Sequence, residues 1–149
     1  MTMEPLDINL SGLSRVLVPI DFSDAAFAAQ TAALNWVGDP SHLHILHVLP
    51  PLSPGEPGIT WQTVNTASRQ QHVEQSFRDR FPSKPYEKVQ FTVLVGTPSI
   101  EIIRYAKEQQ ISLIVIPSHG RTGMGRLMLG SVAERVVRRS PCPVLVLRR

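Results

Sequence analysis

Short apolar runs, each followed by a helical-period or turn-rich segment, recur from one end of the chain to the other. Residues 15–20 (Arg-Val-Leu-Val-Pro-Ile) read as a first strand buried on both faces, with Pro19 at its end, where a missing backbone donor is tolerated. Residues 25–37 are alanine-rich and helical, and Ser23 suits the N-cap, Asp24 the first turn and Gly38 the C-cap. Residues 42–49, 88–95, 112–116 and 144–147 supply the second to fifth strands. A polar helical pattern with a thin apolar face covers 59–81. Thr97 and Pro98 open another helix as N-cap and first residue, with Ile100, Ile102, Ile103 and Ala106 as its buried stripe. The last helix spans 131–139 and is broken by Ser140-Pro-Cys-Pro143. The proline- and glycine-rich stretch 50–58 cannot be regular structure; it is expected to be a connection long enough for a flap or a partner-contact loop. Residues 1–14 carry no period and are expected to be a flexible lead-in to one domain over 15–149.

Strand and helix therefore alternate, which predicts an α/β fold: a single-domain five-stranded parallel sheet with helices on both faces and right-handed crossovers. Ligands of such sheets bind beyond the carboxyl ends of the strands, where the winding reverses. Asp21 follows the first strand, and a glycine-rich loop, Pro117 to Ser131, follows the fourth. The two can share one site if the first and fourth strands are neighbours. The loop carries four glycines, two arginines and a histidine, and ends at Ser131 and Glu134, spaced as a capping box. Glycine lets a backbone approach a ligand closely, and a helix N-terminus favours an anion, so a phosphate site is the natural reading. The loop lacks the Gly-Lys-Ser/Thr of a P-loop.

The remaining chemistry is sparse. His42, His44 and His47 lie on one strand, but His44 and His47 point to opposite faces, which argues against a metal trio. No carboxylate pair, metal-ligand spacing or nucleophile–base pair stands out, and His119 reads better as a hydrogen-bonded loop residue than as an acid or base. Composition adds bounds rather than chemistry. With 149 residues, 42% hydrophobic and 18% charged, the chain has an ordinary globular balance and enough length for a sizeable core. No apolar run reaches membrane-spanning length and the N-terminus lacks the pattern of a secretory signal, so no membrane association and a cytoplasmic location are expected. The single cysteine, Cys142, fits a reducing compartment and is expected to be buried beside the last strand. The net charge of +3, concentrated at Arg138, Arg139, Arg148 and Arg149, reads as solvated ends rather than a nucleic-acid surface.

Val-Pro-Ile-Asp-Phe-Ser (18–23), His47-Val48, Gly96-Thr-Pro98, Ser-His-Gly-Arg (118–121), Leu-Gly-Ser-Val (129–132) and Pro-Cys-Pro-Val-Leu-Val (141–146) together resemble the universal stress protein family, in order and across nearly the whole chain. The resemblance implies an adenine-nucleotide-binding, Rossmann-like sheet of strand order 3-2-1-4-5 and a homodimer through the C-terminal strand. It also implies ATP, alone or with Mg, as the ligand. The family's nucleotide-binding branch carries the signature Gly, two residues, Gly, nine residues, Gly, Ser or Thr. Gly120, Gly130 and Ser131 match it, while Pro117 stands where the first glycine would. By position, Pro19, Ile20 and Asp21 would face the adenosine, Val48 would line the adenine slot, and Gly120, Gly130, Ser131 and Val132 would wrap the phosphates. Arg121 and Arg126 are further phosphate candidates on their chemistry.

The function expected from these readings is an ATP-binding stress-response protein, acting as a nucleotide-dependent switch or with at most slow hydrolysis. A dimeric partner-binding regulator that has lost nucleotide binding is the alternative, favoured by Pro117. A phosphoryl- or adenylyl-transferring enzyme is a third reading, opposed by the missing acid–base pair. A protein partner would be additional to all of these.

Overall fold

The computed structural model describes residues 13–52, 65–119 and 129–148. β1 (Val16–Pro19), β2 (Leu43–Leu49), β3 (Gln90–Val95), β4 (Leu113–Pro117) and β5 (Val144–Leu147) form one sheet in the order β3-β2-β1-β4-β5. All four neighbouring pairs are parallel. The helices are α1 (Asp24–Val37), α2 (Thr66–Arg80), α3 (Lys84–Lys88), α4 (Pro98–Glu108) and α5 (Ser131–Arg139), with a 3-10 turn at Pro40–His42. This is the predicted doubly wound α/β sheet, including the strand order implied by the family resemblance.

Alternation along the strands feeds two cores. Val16, Val18, Leu113 and Val115 pack with Phe27, Ala29 and Ala33 of α1 and with Phe77 of α2. Leu17, Leu46, Ile114 and Ile116 pack on the other face with Ile102, Tyr105 and Ala106 of α4 and with Ala133 and Val136 of α5. Burial of both faces is why these strands read as continuous apolar runs. The thin face of α2 rests on one fully buried side chain, Phe77, whose ring stacks on Phe91 of β3 at a centroid distance of 4.0 Å.

Local expectations are met at α1: Ser23 Oγ accepts from the Ala26 amide (3.2 Å), and Gly38 closes the helix at φ 72°. Several others are corrected. The helix expected over 59–81 runs from Thr66 to Arg80, capped by an Asn65–Ser68 box, and residues 59–64 lie outside the description. The third strand starts at Gln90 because Lys84–Lys88 forms a short helix with a proline in its first turn. Ile100 does not belong to the buried stripe of α4: it is 61% exposed, and Tyr105 takes the inward place. Helical rotation explains this, since residues 102, 105 and 106 share a face that residue 100 leaves. The capping box expected from Ser131 and Glu134 does not form. The N-cap is Gly130, with no side-chain cap, and Glu134 bonds Arg138 instead. Cys142 is half-buried rather than buried, with Sγ 3.5 Å from Ser140 Oγ. Most of the 50–58 connection, and residues 1–12 of the lead-in, lie outside the described residues.

Candidate functional site

The sheet splits where its winding reverses. β1 pairs with β4 only through Val16 and Leu17, whereas it stays paired with β2 as far as Pro19. Backbone direction shows what faces the split. Ile114 and Ser118 donate their N–H groups to the Pro143 and Leu147 carbonyls at 3.0 and 2.9 Å, toward β5. Backbone groups alternate sides along a strand, so those of Pro117 face β1. Ile20 donates to the Leu46 carbonyl of β2 at 2.8 Å. By the same alternation, the backbone of Pro19 faces β4. Each wall of the split thus ends in a proline whose missing N–H would have needed a partner across the gap. Two central strands tolerate proline here because the ladder between them has already ended.

The crevice so formed has a volume of about 260 Å³. Pro19, Ile20 and Asp21 line one wall, Pro117 the other, and Val48, Leu46 and Ile116 contribute apolar surface. Gly130, Ser131, Val132 and Ala133 close it at the start of α5. The first-turn N–H groups of a helix have no intrahelical acceptor, so this end combines free donors with the positive end of the helix dipole. The Gly130 N–H donates to the Ser118 carbonyl (2.8 Å) and pins the two ends of the glycine loop together.

Of the residues expected to contact a nucleotide, the structure brings Pro19, Ile20, Asp21, Val48, Gly130, Ser131 and Val132 around one crevice. Gly120, Arg121 and Arg126 lie outside the described residues. Asp21 does serve its turn: Oδ1 accepts from the Ser23 amide (3.0 Å), next to Phe22 in the left-handed region at φ 61°. A non-glycine residue held there is strained, and its ring is fixed edge-on against Phe27 and His47. Ser118 Oγ lies 3.0 Å from His119 Nδ1, which places His119 in the hydrogen-bonded loop role expected for it.

Sequence reasoning missed His47, Pro98 and Ile102, which also line the crevice. His47 holds the turn after β1, its Nδ1 2.7 Å from the Ile20 carbonyl. Pro98 and Ile102 arrive on α4, and the only local signal was the Gly96-Thr-Pro turn. Gly96 (φ 156°) is needed there because a Cβ would sit 2.8 Å from Glu101 Cγ, whose carboxylate packs over the turn and pairs with Arg104. The three strand histidines have separate surroundings. His42 faces Asp39 (3.9 Å), and buried His44 meets the Tyr105 hydroxyl at 2.7 Å. Among the described residues no cluster of histidine, cysteine and carboxylate side chains suits a metal. No described helix is long and apolar enough to cross a membrane.

Comparison with known proteins agrees with this architecture. Residues 12–148 match the model of the universal stress protein family. The universal stress protein YxiE of Bacillus subtilis is 32% identical over 154 aligned positions, covering 91% of this chain and 99% of that protein. The structure of universal stress protein UspA from Lactobacillus plantarum superposes with a TM-score of 0.72 at 29% identity, covering 91% of this chain and 98% of that one. A universal stress protein solved in complex with cAMP shares the fold at 22% identity and a TM-score of 0.60, covering 92% of this chain and 98% of that one. The chain belongs to the universal stress protein family.

Proposed function

We propose that the crevice binds an adenine nucleotide, ATP alone or with Mg, and that the protein acts as a nucleotide-dependent switch with at most slow hydrolysis. One observation carries this reading: an apolar slot at the topological switch point opens directly onto the unpaired amides of a helix N-terminus. That is the shape of a ligand with a flat apolar end and an anionic end. The base would lie against Val48, Leu46 and Ile116. The ribose would meet Asp21 and the outward carbonyls of Pro19 and Pro117, which accept from hydroxyl donors. The phosphates would sit over Gly130, Ser131 and Val132, with Gly120, Arg121 and Arg126 supplied by the glycine loop. That a structure of this fold was solved with cAMP supports an adenine ligand for the fold. The protein is further proposed to work as a cytoplasmic homodimer joined through β5.

Calorimetry with ATP, and mass spectrometry of nucleotide retained through a gentle purification, test the reading. We expect micromolar binding that is lost in Gly130→Val with an unchanged circular dichroism spectrum, because the branched side chain fills the place where phosphate would approach the backbone. No retained nucleotide and no binding heat would overturn it. They would favour the second reading, a dimeric partner-binding regulator without nucleotide, which Pro117 supports by removing a donor from the crevice wall.

A further inference from the structure

On the outer surface of α4 and α5, away from the crevice, a second concavity of about 620 Å³ runs between the two helices. Ile100 and Ile103 lie in it, and every charged side chain lining it is a cation: Arg104 and Lys107 from α4, and Arg135, Arg138 and Arg139 from α5. We propose that this groove docks an acidic segment of a partner protein carrying one or two apolar anchors. The inference does not depend on the nucleotide reading.

Charge bookkeeping along the helices supports it. Arg104 pairs with Glu101 and Glu108, and Arg138 with Glu134, all within their own helices. Among the described residues no carboxylate pairs with Lys107, Arg135 or Arg139. Cations in a last helical turn can be explained by the helix dipole, which covers Lys107, Arg138 and Arg139. Arg135 is the fifth of the nine residues of α5, outside the last turn where the dipole favours a cation. It adds a cation to the groove that the dipole does not account for.

The apolar floor selects the class of anion. Ile100 is one of two large hydrophobic residues among those described that stand exposed. A lone exposed isoleucine is ordinary, but this one adjoins half-buried Ile103 in a concavity rimmed by cations. A polyphosphate or nucleic-acid backbone would satisfy the cations and leave the isoleucines wet. An acidic peptide with an apolar anchor satisfies both, the anchor supplying affinity and the charges supplying encounter rate and orientation. From Ser99 to Lys107 the groove follows α4 for about 12 Å, which matches roughly two turns of a docked helix.

Fluorescence anisotropy on the full chain tests this with a labelled synthetic peptide about 12 residues long, glutamate-rich with leucine at helical spacing. The comparison probes are the same peptide with serine for leucine, and a labelled polyphosphate. We expect salt-sensitive micromolar binding of the leucine peptide. It should weaken about tenfold for Ile100→Ser and again for Arg135→Glu with Arg139→Glu, while the two comparison probes bind more weakly. Circular dichroism and thermal melting check that each variant folds, and Lys107→Glu offers a second charge reversal should the arginine pair fail to fold. No binding of the leucine peptide would overturn the proposal. So would equal binding of all three probes with Ile100→Ser inert, which would make the groove a plain anion surface. A sedimentation mass that changes on reversing Arg135 and Arg139 would also overturn it, by showing that a second copy of the chain occupies the groove.

Discussion

Pro117 is the residue that most separates this crevice from the family signature, and its backbone direction makes its effect testable. The ring nitrogen faces the gap between β1 and β4, so replacing it restores a donor aimed at the ligand rather than one lost in the sheet. If that donor reaches past the ribose to the adjoining phosphate, a hydrogen bond to a charged group contributes about 1.5–3 kcal/mol. The freedom that glycine adds to the unliganded chain opposes this by about 0.4–1 kcal/mol. Pro117→Gly is therefore expected to tighten ATP about tenfold by calorimetry. Equal or weaker binding would mean that the ligand lies out of reach of that nitrogen. Gly130 is different from what a glycine-rich loop suggests. Its φ is −61°, a value open to any residue, so its contribution to the crevice is the space it leaves and not a special backbone conformation.

At the scale of elements, the seam between β2 and α4 should make stability depend on pH. His44 is buried against Tyr105, and its pKa is lowered from 6.5, by burial first and by the charge of Arg15 second. Burial also raises the Tyr105 pKa. A base whose folded pKa lies below its unfolded one contributes stability in full above the unfolded value, and loses it as pH falls through the folded one. Urea melts should therefore show the protein weakening as pH falls below 6.5, and His44→Gln, which keeps a polar side chain without titrating, should flatten that limb. An identical pH profile in the variant would remove His44 from the account. The same seam shows why the buried stripe of α4 was only partly legible. Ile102 and Ala106 fit the apolar pattern, but the inward surface also takes a tyrosine and a carboxylate, Tyr105 and Glu101, each with a polar partner. A search for apolar periodicity passes over both and admits Ile100 in their place.

For the whole molecule, the two sheet edges are finished differently. At the β3 edge, Gln70 of α2 donates to the Val93 carbonyl (2.8 Å). The described hydrogen bonds of β5 run inward to β4, from Ile114 and Ser118 to the Pro143 and Leu147 carbonyls. Alternation then turns the backbone of Val144 and Val146 outward, and half-buried Val144–Leu147 presents an edge that natural sheets usually pair or cover. If two copies join antiparallel through these strands, Val146→Pro removes an outward donor while leaving the β4 ladder whole. Sedimentation should then change from dimer to monomer with the circular dichroism spectrum retained. A wild-type monomer, or a variant that stays dimeric, would exclude β5 as the seam.

Features that depend on near neighbours were legible in the order of residues alone. Two-sided apolar runs specified parallel strands, and Ser23 and Gly38 specified the ends of α1, because burial period and capping act over a few residues. The family resemblance then implied the strand order and about half of the residues that line the crevice. That β1 and β4 part company after Leu17, leaving a split walled by Pro19 and Pro117 and closed by α5, follows from how the strands and helices assemble. Nor could local pattern show that Ile100 faces outward into a basic groove. Each of these depends on which strands are adjacent and how helices rotate against them. Such contacts join residues far apart in the chain, and no local period encodes them.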